Sequence, residues 1–292
     1  MKNRSFEAIA ASLQACSGLM IGPDKHYLLE ARLAPVLKKH GLVDLDALAD
    51  RLRSSIRTVI TPSAIKFSTE LESDMVEAMT TNETLFFRDV KPFTHFRTKA
   101  LPRLLATRPS GSKIRIWSAA TSAGQEAYSL AMILREVQPS LSGHDVEILG
   151  TDISNEQIKR AQEGIYTQFE IQRGLPMQYI AKYFKNHDQN WKINDQIQKT
   201  VQFKIHNLLL NENELGIFDI VFCRNVLIYF NVETKSRVLK SISRQLKPDG
   251  ILYLGGTETV LGVTDAFSPH QGEHGVFEHN SADCTKPMAL TG

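Results

Sequence analysis

The stretch Trp117-Ser-Ala-Ala-Thr-Ser-Ala-Gly124-Gln-Glu-Ala-Tyr128 concentrates small side chains, at Ser118, Ala119, Ala120, Ser122, Ala123 and Gly124, between a short apolar run and an amphipathic one. A turn of this kind lets main chain approach a ligand closely, and the start of the helix that follows offers unpaired N–H groups to an anionic or polar atom. It is not a G-x-G-x-x-G fingerprint, because Gly124 is its only glycine. Further along, Asp145-Val-Glu-Ile-Leu-Gly-Thr-Asp152 runs out at a carboxylate. The acid that closes the second strand of a nucleotide-binding sheet projects beside the first turn, where it can accept from ribose hydroxyls. The plainer reading of Asp152 is a cap on a helix beginning near Ser154.

These residues need a scaffold, and the hydrophobic periodicity describes one. Lys113 to Trp117 alternates as a strand, and Glu126 to Val137 recurs at helical spacing through Ala127, Leu130, Ala131 and Leu134. From Lys113 onward strands and helices alternate, which predicts a mostly parallel sheet covered on both faces. Val201 to His206 and Phe218 to Cys223 read as further strands, Val232 to Leu246 as a helix, Lys247-Pro-Asp-Gly250 as a turn and Ile251 to Gly255 as another strand. The carboxyl ends then fall at Ser118, Asp152, Asn207 and Arg224, where ligands of open α/β sheets collect. The polar stretch from Gly164 to about Thr200 is too long for an ordinary loop and predicts an insertion.

Upstream, through Pro109, the pattern is helical. Leu28, Leu29, Leu33, Val36 and Leu37 mark a helix closed by Gly41, and Leu45, Leu48 and Leu52 mark one capped by Asp44. Ser68 to Met79 predicts a third, and Lys91-Pro92 opens one toward Leu105. The expected division is a helical region with linker over 1–109, an α/β domain over 113–280 and a disordered tail over 281–292.

Composition narrows the classes. At 292 residues and 42% hydrophobic content the chain supports ordinary globular cores, and a formal net charge of +2 gives no argument for a nucleic-acid partner. Cys16, Cys223 and Cys284 show neither metal-ligand nor disulfide spacing, so no metal is expected. The absence of a long apolar run, and a first segment without the apolar core of a signal peptide, predict a cytoplasmic protein that does not enter the membrane.

Four separated motifs resemble the CheR-type chemotaxis receptor methyltransferases, which use S-adenosylmethionine to esterify receptor glutamates. They are Thr80-Thr-Asn-Glu-Thr-Leu-Phe-Phe-Arg88, Trp117 to Tyr128, the strand end at Asp152, and Phe222-Cys-Arg-Asn-Val-Leu-Ile-Tyr229-Phe, followed in family order by Leu246-Lys-Pro-Asp-Gly250. The resemblance spans nearly the whole chain. It implies a Rossmann-like class I S-adenosylmethionine-dependent methyltransferase domain, an N-terminal all-helical domain and a small β-subdomain inserted over about 164–200. It also implies that Asn82, Thr84, Arg88, Glu126, Asp152, Asn207, Leu208, Cys223 and Arg224 contact the cofactor, with Glu126 meeting its ammonium group. Arg88 would pair the cofactor carboxylate or orient the substrate carboxylate, and Tyr229 would sit near the transferring methyl, so Arg88 and Tyr229 are the expected catalytic residues.

The partners implied are the cytoplasmic domains of methyl-accepting chemotaxis receptors, with Arg32, Lys38 and Lys39 as a recognition patch; Arg51, Arg53 and Arg57 add charge near the next helix. In some members the inserted subdomain binds a receptor C-terminal pentapeptide by strand addition. Here no glycine occurs between Gly174 and Gly216, and tight pentapeptide binding is not expected. The products are glutamate methyl esters and S-adenosylhomocysteine. A glutamate, with a pKa of about 4.3, is already ionised at neutral pH, so no general base is required. Alignment, which can supply roughly 7 to 11 kcal/mol, becomes the main task. The alternatives are a non-catalytic S-adenosylmethionine-binding scaffold of a chemosensory pathway and a small-molecule or RNA methyltransferase on the same fold.

Overall fold

The computed structural model describes residues 2–55, 69–141, 143–210 and 215–280; Arg57, Ser68 and the tail beyond Asn280 lie outside them. Helices α1 (Asn3–Ser17), α2 (His26–Lys39), α3 (Leu45–Ser55) and α4 (Glu70–Met79) form a cluster with a core of its own, in which Ile9, Leu13, Leu29, Leu33, Leu48 and Met75 are fully buried. Asp44 caps α3 through the Ala47 N–H at 2.8 Å. A reciprocal capping box between Thr69 and Glu72 starts α4. A longer helical rod follows as α5 (Lys91–His95), a π turn (Phe96–Ala100) and α6 (Leu101–Thr107). The π turn directly precedes Pro102, which has no N–H to give and whose ring crowds the turn before it.

The sheet has seven strands in the order β6-β2-β1-β7-β8-β10-β9, built from β1 (Lys113–Ala119), β2 (Asp145–Asp152), β6 (Val201–Ile205), β7 (Phe218–Cys223), β8 (Leu246–Leu254), β9 (Phe267–Pro269) and β10 (Val276–His279). The pairs from β6 through β8 are parallel; β10 runs antiparallel to β8, and β9 to β10. Alternation along the strands divides two cores. Ile116, Ile220 and Phe222 face the side of α7 (Gln125–Glu136), while Trp117, Val221 and Cys223 face the side of α12 (Val232–Arg244). Helix α8 (Asn155–Glu163) connects β2 to the insertion and is capped by the Ser154 side chain. The insertion folds as a three-stranded antiparallel sheet, β3 (Ile165–Thr167), β5 (Asn190–Ile193) and β4 (Phe184–His187), with short helices α9 (Gln168–Gln172), α10 (Met177–Tyr183) and α11 (Asp195–Gln198).

One expectation is corrected. Lys247 to Gly250 is not a turn between elements but a bulge inside β8, across which the register with β7 jumps from Phe218↔Leu246 to Ile220↔Ile251. The Pro-Asp-Gly chemistry is that of a bend, yet the strand pairs with β7 on both sides of it. Asp219, at the start of β7, is fully buried and accepts from Arg115 N (3.0 Å), Arg108 Nε (2.8 Å) and the bulge's Lys247 Nζ (2.8 Å). Arg108 in turn forks onto Asp249 of the bulge at 2.7 and 2.8 Å. The bulge therefore braces the amino end of the sheet.

Asp219→Ala is expected to cost about 3 kcal/mol, the low end for breaking a buried ion pair because Lys247 partly reaches water. Urea unfolding followed by fluorescence of the buried Trp117 checks it; an unchanged midpoint would show that the network contributes nothing.

Candidate active site

Strand order reverses at β1, with β2 and β6 on one side and β7 and β8 on the other. A cleft, open at its mouth, lies over the carboxyl ends of the strands at this switch point. Asn82, Thr84, Arg88, Glu126, Asp152, Asn207, Leu208, Arg224 and Tyr229 all line it. Cys223 does not: its side chain is fully buried in the core beneath the sheet, and burial, with the charges of Glu258 and Glu126, pushes its thiol far up. Strand alternation turns the Cys223 thiol away from the cleft, so any contact of this residue with the cofactor falls to its main chain.

The small-residue loop works through backbone strain. Ala120 and Ser122 adopt left-handed φ values of 55° and 50°, and Gly124 one of 90°. At Gly124 a Cβ would also stand 3.0 Å from Ala161 Cβ and from Phe203 Cζ. The loop is held open by its neighbours: Thr121 N donates to Thr151 O at 2.8 Å, Ser122 N to Asp152 Oδ2 at 2.8 Å, and Ser122 Oγ to Asn82 O at 3.0 Å. Asp152 also accepts from Ser154 N at 2.9 Å through Oδ1. It thus tethers the first residues around α8 without being its cap, which is Ser154. Burial raises the Asp152 carboxyl above the ordinary aspartate range, against the opposing pull of the Ser154 and Ser122 N–H groups.

On the opposite wall Arg224 is a buried hub. Its guanidinium donates to Glu126 Oε2 (2.9 Å), Asp89 Oδ2 (2.8 Å) and the Arg88 carbonyl (2.9 Å), with its side chain only 1% exposed. Glu126 takes a second bond from Ser118 Oγ at 2.8 Å. The segment so gripped is itself strained, with Phe87 at φ 50° and Asp89 at φ 61°. Behind it, Phe87 N donates to Ser129 Oγ at 3.0 Å, and Phe86 packs edge-on against Tyr166 and Phe184 of the insertion. Gly174 is required there, because a Cβ would lie 1.9 Å from the Phe86 carbonyl oxygen. Arg88 itself donates to the Glu83 carbonyl at 3.1 Å.

The helical cluster supplies the roof, which the sequence did not disclose. Ser17 and Leu19, at the end of α1, line the cleft. Asn207 Nδ2 donates to Cys16 O at 2.7 Å, and Met20 N to Tyr229 O at 2.9 Å. Asn207 Oδ1 accepts from Leu209 N, so its side chain joins α1 to the strand end. Glu77 of α4 accepts from Asn155 N at 3.0 Å and from Ser154 Oγ. Of the expected recognition patch, Arg32 donates to the carbonyls of Met79 (3.0 Å) and Thr80 (3.2 Å) and so fixes the entry to the linker. Lys39 pairs with Glu70 and Asp74, and Lys38 is exposed. These three residues are not brought to the cleft.

The donor set suits a sulfonium amino-acid nucleoside. A buried carboxylate at Asp152 fits ribose hydroxyls, Glu126 an ammonium, and the apolar surfaces of Leu19, Ile153 and Leu208 a purine, while Arg88 leaves a cation at the cleft for a carboxylate. A parallel sheet with an antiparallel β10 and a cleft of this chemistry define a class I S-adenosylmethionine-dependent methyltransferase.

Comparison with known proteins makes the assignment specific. Residues 82–276 match the CheR methyltransferase SAM-binding domain, and residues 4–61 the CheR all-alpha domain. A chemotaxis protein methyltransferase of Pseudomonas putida (Cher2) is 36% identical, covering 94% of this chain and 97% of its own length. One from Vibrio cholerae (chemotaxis protein methyltransferase 1) is 38% identical over 91% of this chain and 93% of its own. Among solved structures, the plantazolicin methyltransferase BpumL in complex with SAH aligns with a TM-score of 0.33 and 14% identity, over 57% of this chain and 49% of that one. The chain belongs to the CheR methyltransferase family and is a chemotaxis methyltransferase that uses S-adenosylmethionine.

Asp152→Asn is expected to weaken S-adenosylmethionine binding by about 10- to 100-fold, the range for losing a hydrogen bond to a charged group. Protonation removes the same acceptor, and the raised carboxyl takes up its proton above the ordinary aspartate range. Calorimetric affinity of the parent chain should therefore begin to fall on acidification before that range is reached, and this fall should be absent from the variant.

Proposed function

We propose that the enzyme transfers the methyl group to glutamate side-chain carboxylates on the cytoplasmic domains of chemoreceptors, giving methyl esters and S-adenosylhomocysteine. The observation that carries this reading is Arg88. It is a cation at the cleft whose guanidinium donates to a main-chain carbonyl, on the segment that Arg224 clamps, and it lines the same cleft as Tyr229. A carboxylate acceptor needs no base and does need a cation to hold it. Bound S-adenosylmethionine supplies a methyl group on a positively charged sulfur, an activated donor. Glu126, fixed by Ser118 and Arg224, holds the amino-acid end, and Asp152 holds the ribose. Arg88 steers the incoming carboxylate, and the Tyr229 ring closes the approach beside it.

Incubation with labelled S-adenosylmethionine and a receptor cytoplasmic fragment should give base-labile methanol. Binding without turnover would instead identify a scaffold, and label stable to base would identify an N-methylase. With an acceptor ionised throughout, kcat should stay flat from about pH 6 to 8. Arg88→Ala should lower it by on the order of 10²-fold. A rise in rate following a pKa near neutrality would contradict a carboxylate acceptor.

We further propose that the insertion does not take the receptor's C-terminal pentapeptide. The left-handed position of the turn between β4 and β5 is filled by Asp188, at φ 54°, with no glycine nearby. Calorimetric titration with a receptor-tail peptide should give no heat of binding; a saturating isotherm would overturn this reading.

A further inference from the structure

Tyr229 and Arg224 sit on one loop after β7, and that loop is anchored from a different part of the chain. Glu258 follows β8, in the turn Gly255-Gly-Thr-Glu258, and is 7% exposed. Its Oε2 accepts from Gly255 N at 2.7 Å and Asn225 N at 2.8 Å, and its Oε1 from Ile228 N at 3.3 Å. All three of these donors are main-chain groups, two of them on the Arg224 to Tyr229 loop. Asn225 adopts a left-handed φ of 59°, a conformation that Asn tolerates but that needs support to persist. The turn after it is tight: Tyr229 N donates to Val226 O at 3.2 Å.

We propose that Glu258 is a positioning residue for methyl transfer, a buried carboxylate that pins Asn225 and Ile228 and thereby sets where Tyr229 stands at the mouth of the cleft. Glu258 does not line the cleft, so it acts through the loop. The inference rests on the assignment of Tyr229 to the transfer step. A second residue supports the geometry. A Cβ on Gly255 would stand 2.8 Å from Glu258 Oε2, 2.7 Å from Asn225 Nδ2 and 3.0 Å from Asn225 N, so only glycine lets the two loops close on the carboxylate. A buried carboxylate accepting several N–H groups holds their positions more firmly than neutral acceptors would. Tyr229 is held from the other side by Met20 N on its carbonyl, so a slackened loop shifts the ring without opening the sheet.

The test uses the full chain with Glu258→Gln, Glu258→Ala, Gly255→Ala, Tyr229→Ala and the double variant Glu258→Gln/Tyr229→Ala. Gln keeps one acceptor oxygen and places an NH2 against the other N–H, so its loss should be smaller than that of Ala. Expected are a fall in kcat on the order of 10- to 10²-fold with Glu258→Ala, a smaller one with Glu258→Gln, and calorimetric affinity for S-adenosylmethionine unchanged in both. Glu258→Gln should add little to Tyr229→Ala. Gly255→Ala should follow the Glu258 variants. Hydrogen exchange over 224–230 reads the clamp without turnover, and should quicken in Glu258→Gln even if Glu258→Ala fails to fold. Unchanged exchange and kcat in Glu258→Gln, or a fall in kcat matched by lost cofactor affinity, overturns the inference. A slow Glu258→Gln beside a full-rate Tyr229→Ala would sink the assignment of Tyr229 and leave the clamp acting through Asn225.

Discussion

Arg224 carries a full charge on a side chain that is 1% exposed, and a charge so far from water has to be matched where it stands. The match comes from Glu126, in the first turn of α7, and from Asp89, in the linker, and it is completed by the Arg88 carbonyl. Two parts of the molecule with no sequence relation are thereby referred to one point. Burying ions adds little net stability, because desolvation offsets the attraction, but it makes any other arrangement costly. The strained Phe87 and Asp89 backbone persists under that compulsion, with Phe86 locked into the aromatic cluster behind it.

The sheet carries a polar network at each end, with different duties. At the amino end, Asp219 collects Arg108, Lys247 and a main-chain N–H, and every partner is another part of the same scaffold. At the carboxyl end, Asp152 and Glu126 are each partly satisfied by protein and still line the cleft. A carboxylate that accepts from main chain on one lone pair and faces open space with another is rigid and still available. The roof differs again: it is made by the helical cluster, through Cys16 on Asn207 and Met20 on Tyr229. That cluster therefore helps to build the cleft, and Arg32, which ties α2 to the linker, belongs to the same connection.

Much of this was legible in the chain because strand alternation and small-residue turns are local signals. Lys113 to Trp117, Asp145 to Asp152 and Phe218 to Cys223 became strands, and the loop before Gly124 became the cradle beside Asp152. What escaped depends on distant partners. Glu258 is an unremarked acid in a polar turn until β8 sets it beneath Asn225. Ser17 and Leu19 look like the frayed end of a helix until α1 is laid over β6 and β7. The bulge at Lys247 misleads because its turn chemistry is real, and only pairing with β7 on both sides shows that the strand continues. The side-chain direction of Cys223 could have been read from period two, since Phe222 and Cys223 face opposite cores.

The bond from Asn207 to Cys16 spans 191 positions of sequence. During synthesis the helical cluster emerges first and can bury its own core, but a nascent chain that has not yet delivered Arg224 and Tyr229 has a cleft without one wall. Closing so long a loop is entropically slow, and nothing local rewards it until both ends meet. Cofactor capture is therefore among the last events in the maturation of this chain. A ligand that bridges both ends then stabilises the finished molecule over any partial one.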